Sequence, residues 1–555
     1  MKTSFVALTM LTMLTMLTLA STSQAVELTQ SDFNRYLDFN WGECPAQFQS
    51  SDGKNTCTLA DVPLNWQAPD GKKISVLVSK YPAKSTNSKG QIWLLQGGPG
   101  GSGSFFVQQL NTTLAPFTEH YDLFVLEHRG VGWSTHLACS NPVVSDYAQY
   151  AKTCFDDLHQ QWGDDLFEFN TTAAARDLEY VIGKSKVRDW QPSYVYGVSY
   201  GTLWAQRFSQ IAPTGAQAII LDSVLPPAEF GSDLWDENFN ATLDDLLAYC
   251  QLDTRCQSRL NFSSLPQLKA RLNDIFTAQS CAGLDFDRQA LQMLSILGLS
   301  RSVEQILIPT LHRLNRCNSN DVIALNNLHN FIFKGLGRQI MQLPAKDPFG
   351  FSQVVSKLIT HNEINHVQRD LHSKQAYCQD AIACYPDFMN YRIHLDKQVW
   401  GNRYTDHYVY QPMHHYMPTL ALNGDLDPQT PHTYISLIQD AFTNINQRYV
   451  ELPQTHHGVL FVSHTHDAST STCGAEIMKN FIEDIWSQPD TGCIAHLQGL
   501  NFTASAMASH VLFGTPDAFD GQPEIMSEVD IMQLKQSDPA AFVQAYATFM
   551  PLIDF

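Results

Sequence analysis

Ser199 stands at the centre of Gly197-Val198-Ser199-Tyr200-Gly201, directly behind the β-branched and aromatic run Tyr194-Val195-Tyr196 and ahead of a helix-like segment. A serine hydroxyl is a weak nucleophile at neutral pH, so it needs a base within hydrogen-bond reach and an acid to orient that base. G-x-S-x-G between a strand and a helix is the sequence form of a turn that projects such a hydroxyl, with small residues letting strand and helix approach. The partners are expected further along the chain in the order acid, then histidine. Asn423-Gly424-Asp425-Leu426-Asp427-Pro428 follows the apolar run Thr419 to Leu422 and offers two acids. Asp427, before Pro428 on a turn, is preferred over Asp425, and either could also cap the helix starting near Pro431. Thr455-His456-His457-Gly458 follows the run Arg448 to Leu452. His457 is preferred over His456 as the base because Gly458 leaves room for its ring.

A tetrahedral intermediate also needs N–H donors aimed at its oxyanion. The backbone N–H of Tyr200 supplies one by construction. The loop Gly97-Gly98-Pro99-Gly100-Gly101-Ser102-Gly103, after the run Gln91 to Leu95, supplies another, assigned to Gly98. Phosphate binding by this loop is disfavoured, since no Lys-Ser/Thr pair follows it and it does not open the first strand-helix unit.

These loops must be held at the ends of strands. Ile74 to Val78, Gln91 to Leu95, Leu123 to Leu126, Tyr194 to Tyr196 and Ala218 to Leu221 are short apolar runs alternating with amphipathic stretches, which is the rhythm of a mainly parallel α/β sheet. From about 226 to 417 the chain reads as helical, with Trp235 to Cys250, Leu265 to Phe276 and Val303 to Leu314 the clearest segments. The strand pattern then resumes, a helix is expected from Ala475 to Trp486, and the tail after about Gly499 carries no clear pattern. The expected organisation is a leader (1–25), the first part of an α/β core (26–225), an inserted helical cap (226–417), the second part of the core (418–498) and a C-terminal extension (499–555).

Met1-Lys2-Thr3, the apolar run to Leu19, and Ser23 and Ala25 before Val26 have the form of a secretory signal peptide, so a secreted or periplasmic protein is expected. An uncleaved anchor is the alternative, but the threonine-diluted run is short for a membrane span. The net charge of −20 disfavours nucleic acid as a partner. Twelve cysteines in an exported chain imply disulfides, with sequence neighbours paired and Cys281 joined to Cys317. No metal and no cofactor are expected, since no C-x-x-C pair occurs and the histidines lack zinc spacing.

Together these motifs resemble those of the prolyl and tripeptidyl aminopeptidase family of α/β-hydrolase serine peptidases. The matching residues are Gly97-Gly98-Pro99-Gly100, Glu127-His128-Arg129-Gly130-Val131-Gly132-Trp133-Ser134, Gly197 to Gly201, Leu221-Asp222-Ser223-Val224, Gly424 to Pro431 and His457-Gly458. Gln96 and Glu127 depart from the histidine and aspartate usual there. The resemblance implies an α/β-hydrolase fold with a large cap, and hydrolysis of peptides near a free N-terminus by Ser199, His457 and Asp427. Such an enzyme must bind an ammonium group, for which Asp233, Asp236 and Glu237 are candidates, although acids in a first helical turn need no such role. An exported carboxylesterase or lipase with the same residues, or a non-catalytic binding protein on this fold, are the competing expectations.

Overall fold

The computed structural model describes residues 39–526 except 141–145, 187–190, 261, 263, 299–303, 337–349, 414–415 and 468–470. The expected leader and the last 29 residues lie outside this range. Eight strands form one sheet in the order β1-β2-β4-β3-β5-β6-β7-β8. β2 (Lys73–Tyr81) pairs antiparallel with both β1 (Thr56–Pro63) and β4 (Tyr121–Leu126), while β4, β3 (Gly90–Leu95), β5 (Ser193–Val198), β6 (Ala218–Asp222), β7 (Thr419–Gly424) and β8 (Gln447–Leu452) run parallel. Every residue of β3, β5, β6 and β7 is buried. That is why these strands read as continuous apolar runs, since a parallel sheet covered on both faces has no solvent side to advertise.

The register brings the functional loops together. Leu95 pairs with Gly197, Val198 with Asp222, Asp222 with Leu422, and Gly424 with Leu452. The strands therefore end at one edge, and the loops bearing Gly98, Ser199, Asp427 and His457 leave from it side by side. Ligand sites in open parallel sheets lie at that edge.

Two elements differ from the sequence reading. β1 is an added edge strand whose Thr-Cys-Thr-Leu-Ala-Asp-Val-Pro sequence lacks an apolar run, because one side of it faces solvent. The last long helix runs Cys473–Glu483, and stops before Trp486 because the Asp484 carboxylate accepts the Trp486 and Ser487 N–H groups in a turn.

Most described residues between 232 and 400 are helical, with long helices at Trp235–Leu252, Leu265–Thr277, Glu304–Arg316, Ser319–Asn330 and Asp387–Trp400. Their apolar core contains Leu243, Leu272, Leu307, Leu311 and Leu325, and it also takes in Val511, Leu512 and Phe513 from the helix Ala506–Phe513. The buried Arg313 guanidinium fastens this C-terminal segment by donating to the carbonyls of Asp517, Ala518 and Asp520 at 2.7–2.9 Å. Residues 502–520 thus complete the helical core rather than trailing from the sheet. The twelve cysteines form six disulfides, Cys44–Cys57, Cys139–Cys154, Cys250–Cys256, Cys281–Cys317, Cys378–Cys384 and Cys473–Cys493, in the expected pairing. Among the described residues no helix is long and apolar enough to cross a membrane.

Candidate active site

Ser199 sits at φ 58°, ψ −125°, a conformation that L-residues avoid, at the junction of β5 and the helix Tyr200–Ile211. The flanking glycines are required by close approach. A Cβ on Gly197 would fall 2.1 Å from the Gly201 carbonyl oxygen, and one on Gly201 would fall 2.3 Å from that of Leu95. The turn is thus tight enough to lift the serine off the strand, and Ser199 remains partly exposed although Val198 and Tyr200 are buried.

His457 and Asp427, from the loops after β8 and β7 at the same sheet edge, meet each other. The His457 Nδ1–H donates to the Asp427 carboxylate at 2.8–2.9 Å. A carboxylate only accepts, so this contact fixes the proton on Nδ1 and leaves Nε2 as the basic nitrogen. Nε2 is buried and has no hydrogen-bond partner among the described residues. Asp427 also accepts the Gln429 N–H at 2.9 Å, the Thr430 N–H at 3.0 Å and the Thr430 hydroxyl at 2.8 Å. Burial alone would raise its pKa, but His457 and these donors outweigh burial and hold it below the ordinary carboxylate value. The converse applies to His457: burial disfavours its charge, yet Asp427, with a smaller share from Asp222, lifts its pKa above the ordinary imidazole value.

The two rival residues are engaged elsewhere. Asp425 accepts the Tyr249 hydroxyl of the long helix Trp235–Leu252. His456 is buried with its Nε2 3.5 Å from Glu304 of the helix Glu304–Arg316. Asp425 and His456 thus face the helical layer, while Asp427 and His457 face each other. Gly458 is a glycine for a different reason from the expected one. It adopts φ 79°, and the space around its missing Cβ is open, so backbone conformation rather than room for the ring demands it.

Gly98 and Tyr200 both present backbone N–H groups that donate to nothing among the described residues. The Gly97 N–H, by contrast, is taken by the Gln96 side chain at 2.8 Å. Two buried groups brace this region. Glu127 accepts the Gly103 N–H at 2.6 Å and the Ser102 hydroxyl at 2.9 Å, tying the glycine-rich loop to β4, and burial pushes its pKa up to about 7. Arg129 forms a two-pronged pair with Asp177 at 2.6 and 2.7 Å and donates to the carbonyls of Pro63, Leu64 and Glu168. Those contacts give the Glu-His-Arg-Gly motif a structural task. His128 adds to it, for its Nε2 meets the Tyr200 hydroxyl at 3.0 Å, and burial pushes its pKa down to about 3, so it stays neutral.

Asp233, Asp236 and Glu237 are brought together, but each faces a cation of the helical layer. Asp233 accepts from Lys397 at 2.9 Å and Lys374 at 3.4 Å, Asp236 lies 3.8 Å from Lys374, and Glu237 pairs with Arg369 at 2.8 Å. A substrate ammonium would have to compete with all three. Asp233→Asn is expected to leave the buried Lys374 short of a partner and to cost about 3 kcal/mol, read as a fall in Tm. KM for any amino-terminal substrate should then change less than about twofold. A raised KM at unchanged Tm would restore Asp233 to the binding site.

A family model described as alpha/beta hydrolase fold matches residues 92–292. With the strand order and the serine turn, it defines the chain as a protein of α/β-hydrolase fold. The chain is 28% identical to a tripeptidyl aminopeptidase of Streptomyces lividans over 239 residues, covering 38% of this chain and 42% of that one. It is 25% identical to the serine protease Hip1 of Mycobacterium tuberculosis over 199 residues, covering 32% and 37%. It is also 24% identical to the putative hydrolase YuaR of Escherichia coli over 231 residues, covering 38% and 45%. The matches thus span about two fifths of the length of these curated relatives.

Proposed function

We propose that this chain is an exported serine aminopeptidase of the tripeptidyl or prolyl type. The observation that carries the reading is the arrival of Ser199, the His457–Asp427 pair and two open N–H donors at one sheet edge. In this reading Ser199 Oγ attacks the scissile carbonyl while His457 Nε2 takes its proton, and Asp427 stabilises the resulting imidazolium. The N–H groups of Gly98 and Tyr200 receive the oxyanion. His457 then returns the proton to the leaving amine, and water, activated by the same nitrogen, releases the acyl group from Ser199.

The names of the relatives support a peptide substrate. So does the helical layer, which is fastened to three of the loops around the serine. Ser352 N–H donates to the Gly100 carbonyl at 2.9 Å, Tyr249 reaches Asp425, and Glu304 reaches His456. A layer attached on three sides suits a chain end better than a bond within a folded protein. The disulfides and the form of residues 1–25 support export.

The test pairs fluorogenic peptides carrying free and acetyl-blocked N-termini with a short-chain ester. Cleavage of the free-amine peptides at least about 100-fold faster in kcat/KM than of the blocked ones is expected, since a buried ammonium contact is lost on acetylation. Equal rates on both sink the aminopeptidase reading, and turnover of the ester alone assigns the site to an esterase.

A further inference from the structure

Two loops of the proposed machinery, those of Ser199 and His457, converge on Asp222 and Ser223. β6 ends at Asp222, between the serine strand β5 and the aspartate strand β7. The Asp222 carbonyl accepts the N–H of Ser199 itself at 2.9 Å. Its side chain reaches the other way, into the histidine loop: one oxygen accepts the Val459 N–H and the other the Leu460 N–H, both at 2.8 Å. Ser223 follows at φ 58° and its hydroxyl accepts the Gly458 N–H at 2.7 Å. Three consecutive N–H groups directly after His457 are thus held by two consecutive side chains whose backbone also holds Ser199. Ser223 and Ser199 share the same strained φ at the ends of adjacent strands, and such outliers persist only where surroundings over-determine them.

We infer that Asp222 and Ser223 are positioning residues that set the His457 imidazole against the Ser199 hydroxyl, with Asp222 acting as a second buried anion beside the histidine. The inference rests on the serine-hydrolase part of the proposed function and not on its peptide substrate. The donor set favours the ionised carboxylate. Besides the two N–H groups, Asp222 accepts the Tyr196 hydroxyl at 2.6 Å and the Ser223 hydroxyl at 3.3 Å. Four donors face the carboxylate, and only the ionised form accepts from all of them. Burial holds its pKa above the ordinary carboxylate value, although Tyr196, the two loop N–H groups and His457 act against that rise. The titratable groups acting on His457 are Asp427 from the β7 loop and Asp222 from β6; those acting on Asp222 are Tyr196 of β5 and His457.

The experiment uses diisopropyl fluorophosphate, whose capture by a serine needs the nucleophile and its base but no particular substrate. Second-order inactivation rates are measured against pH for the full chain, Asp222→Asn and Ser223→Ala, with Tm recorded for each. In the wild type the acid limb should have its midpoint above the ordinary 6.5 of imidazole, because the base is lost as His457 takes a proton. Asp222→Asn turns one acceptor oxygen into a donor facing an N–H group. It should slow capture by about 100-fold, the effect of a small misplacement of reacting groups. It should also move the acid limb to lower pH, since removing an anion eases deprotonation of His457. Ser223→Ala should slow capture several-fold and leave the limb in place. An unchanged rate in Asp222→Asn, a loss matching only the unfolded fraction, or an unmoved limb overturns the inference while leaving the serine hydrolase intact. Failure of the wild type to react at all overturns both.

Discussion

Ser199→Ala is expected to lower kcat by about 10⁵- to 10⁶-fold while leaving the fold unchanged. The two halves of that expectation come from different observations. Loss of the hydroxyl removes the only atom able to form the acyl intermediate in the proposed reaction, so what persists is the contribution of the N–H donors and of substrate binding. Stability should hold, because what fixes Ser199 is backbone: its N–H to the Asp222 carbonyl, and its own carbonyl receiving the Thr202 N–H at 2.9 Å and hydroxyl at 2.6 Å. Alanine keeps all of these at the same φ. Measurement of kcat with the free-amine peptide, next to a thermal melt, checks both. Adding His457→Ala to Ser199→Ala should cost almost nothing more, since groups that act as one unit are not additive in their removal. A Ser199→Ala protein retaining more than about 1% of wild-type kcat would remove the serine from the chemistry.

How much of this could be read from the sequence depends on whether the signal is local. Strands β2 to β7 are legible because each holds an apolar run followed by a loop rich in Gly, Asp or Pro, and β8 because Tyr449, Val450 and Leu452 precede such a loop; Ser199, Asp427 and His457 follow β5, β7 and β8 at one sheet edge. β1 is illegible because its alternating, partly exposed residues resemble a loop. The partners of Asp233 are illegible for another reason: Lys374 and Lys397 lie more than 130 residues away and reach it only when the helices of 371–400 dock. First-turn acids of a helix look alike in sequence whether they are free or paired. Asp222 gives the same difficulty, for in Leu-Asp-Ser-Val it reads as an ordinary strand-ending turn residue. Only the register beside β5 reveals that its two faces serve two different loops. The helix Ala506–Phe513 is missed because it is short and mostly apolar around its circumference, which suppresses helical periodicity.

The choice between Asp427 and Asp425, open in the sequence, becomes a matter of charge and geometry. Asp427→Asn should reduce kcat by about 10⁴-fold, and Asp425→Asn by less than about tenfold. Asparagine at 427 matches the carboxylate in shape but offers one acceptor oxygen and one NH₂ donor to a place where four donors converge. With its NH₂ toward His457, the ring can bond only by carrying its proton on Nε2, the nitrogen that must accept the serine proton. With its oxygen there, the NH₂ takes the place of one of the two oxygens that the Gln429 and Thr430 donors use, and in either case the imidazolium formed during reaction loses its counter-charge. At position 425 the demands are weaker: the Tyr249 hydroxyl donates to one oxygen, which an amide oxygen accepts equally well, and the Thr455 N–H, at 3.4 Å, meets the other. Parallel measurement of kcat and Tm in the two variants separates the cases, because a structural aspartate loses stability with activity whereas the orienting acid loses activity far beyond any change in folding. A larger kcat loss at 425 than at 427 would transfer the role to Asp425 and require the His457 ring to leave the contact it makes here at 2.8 Å.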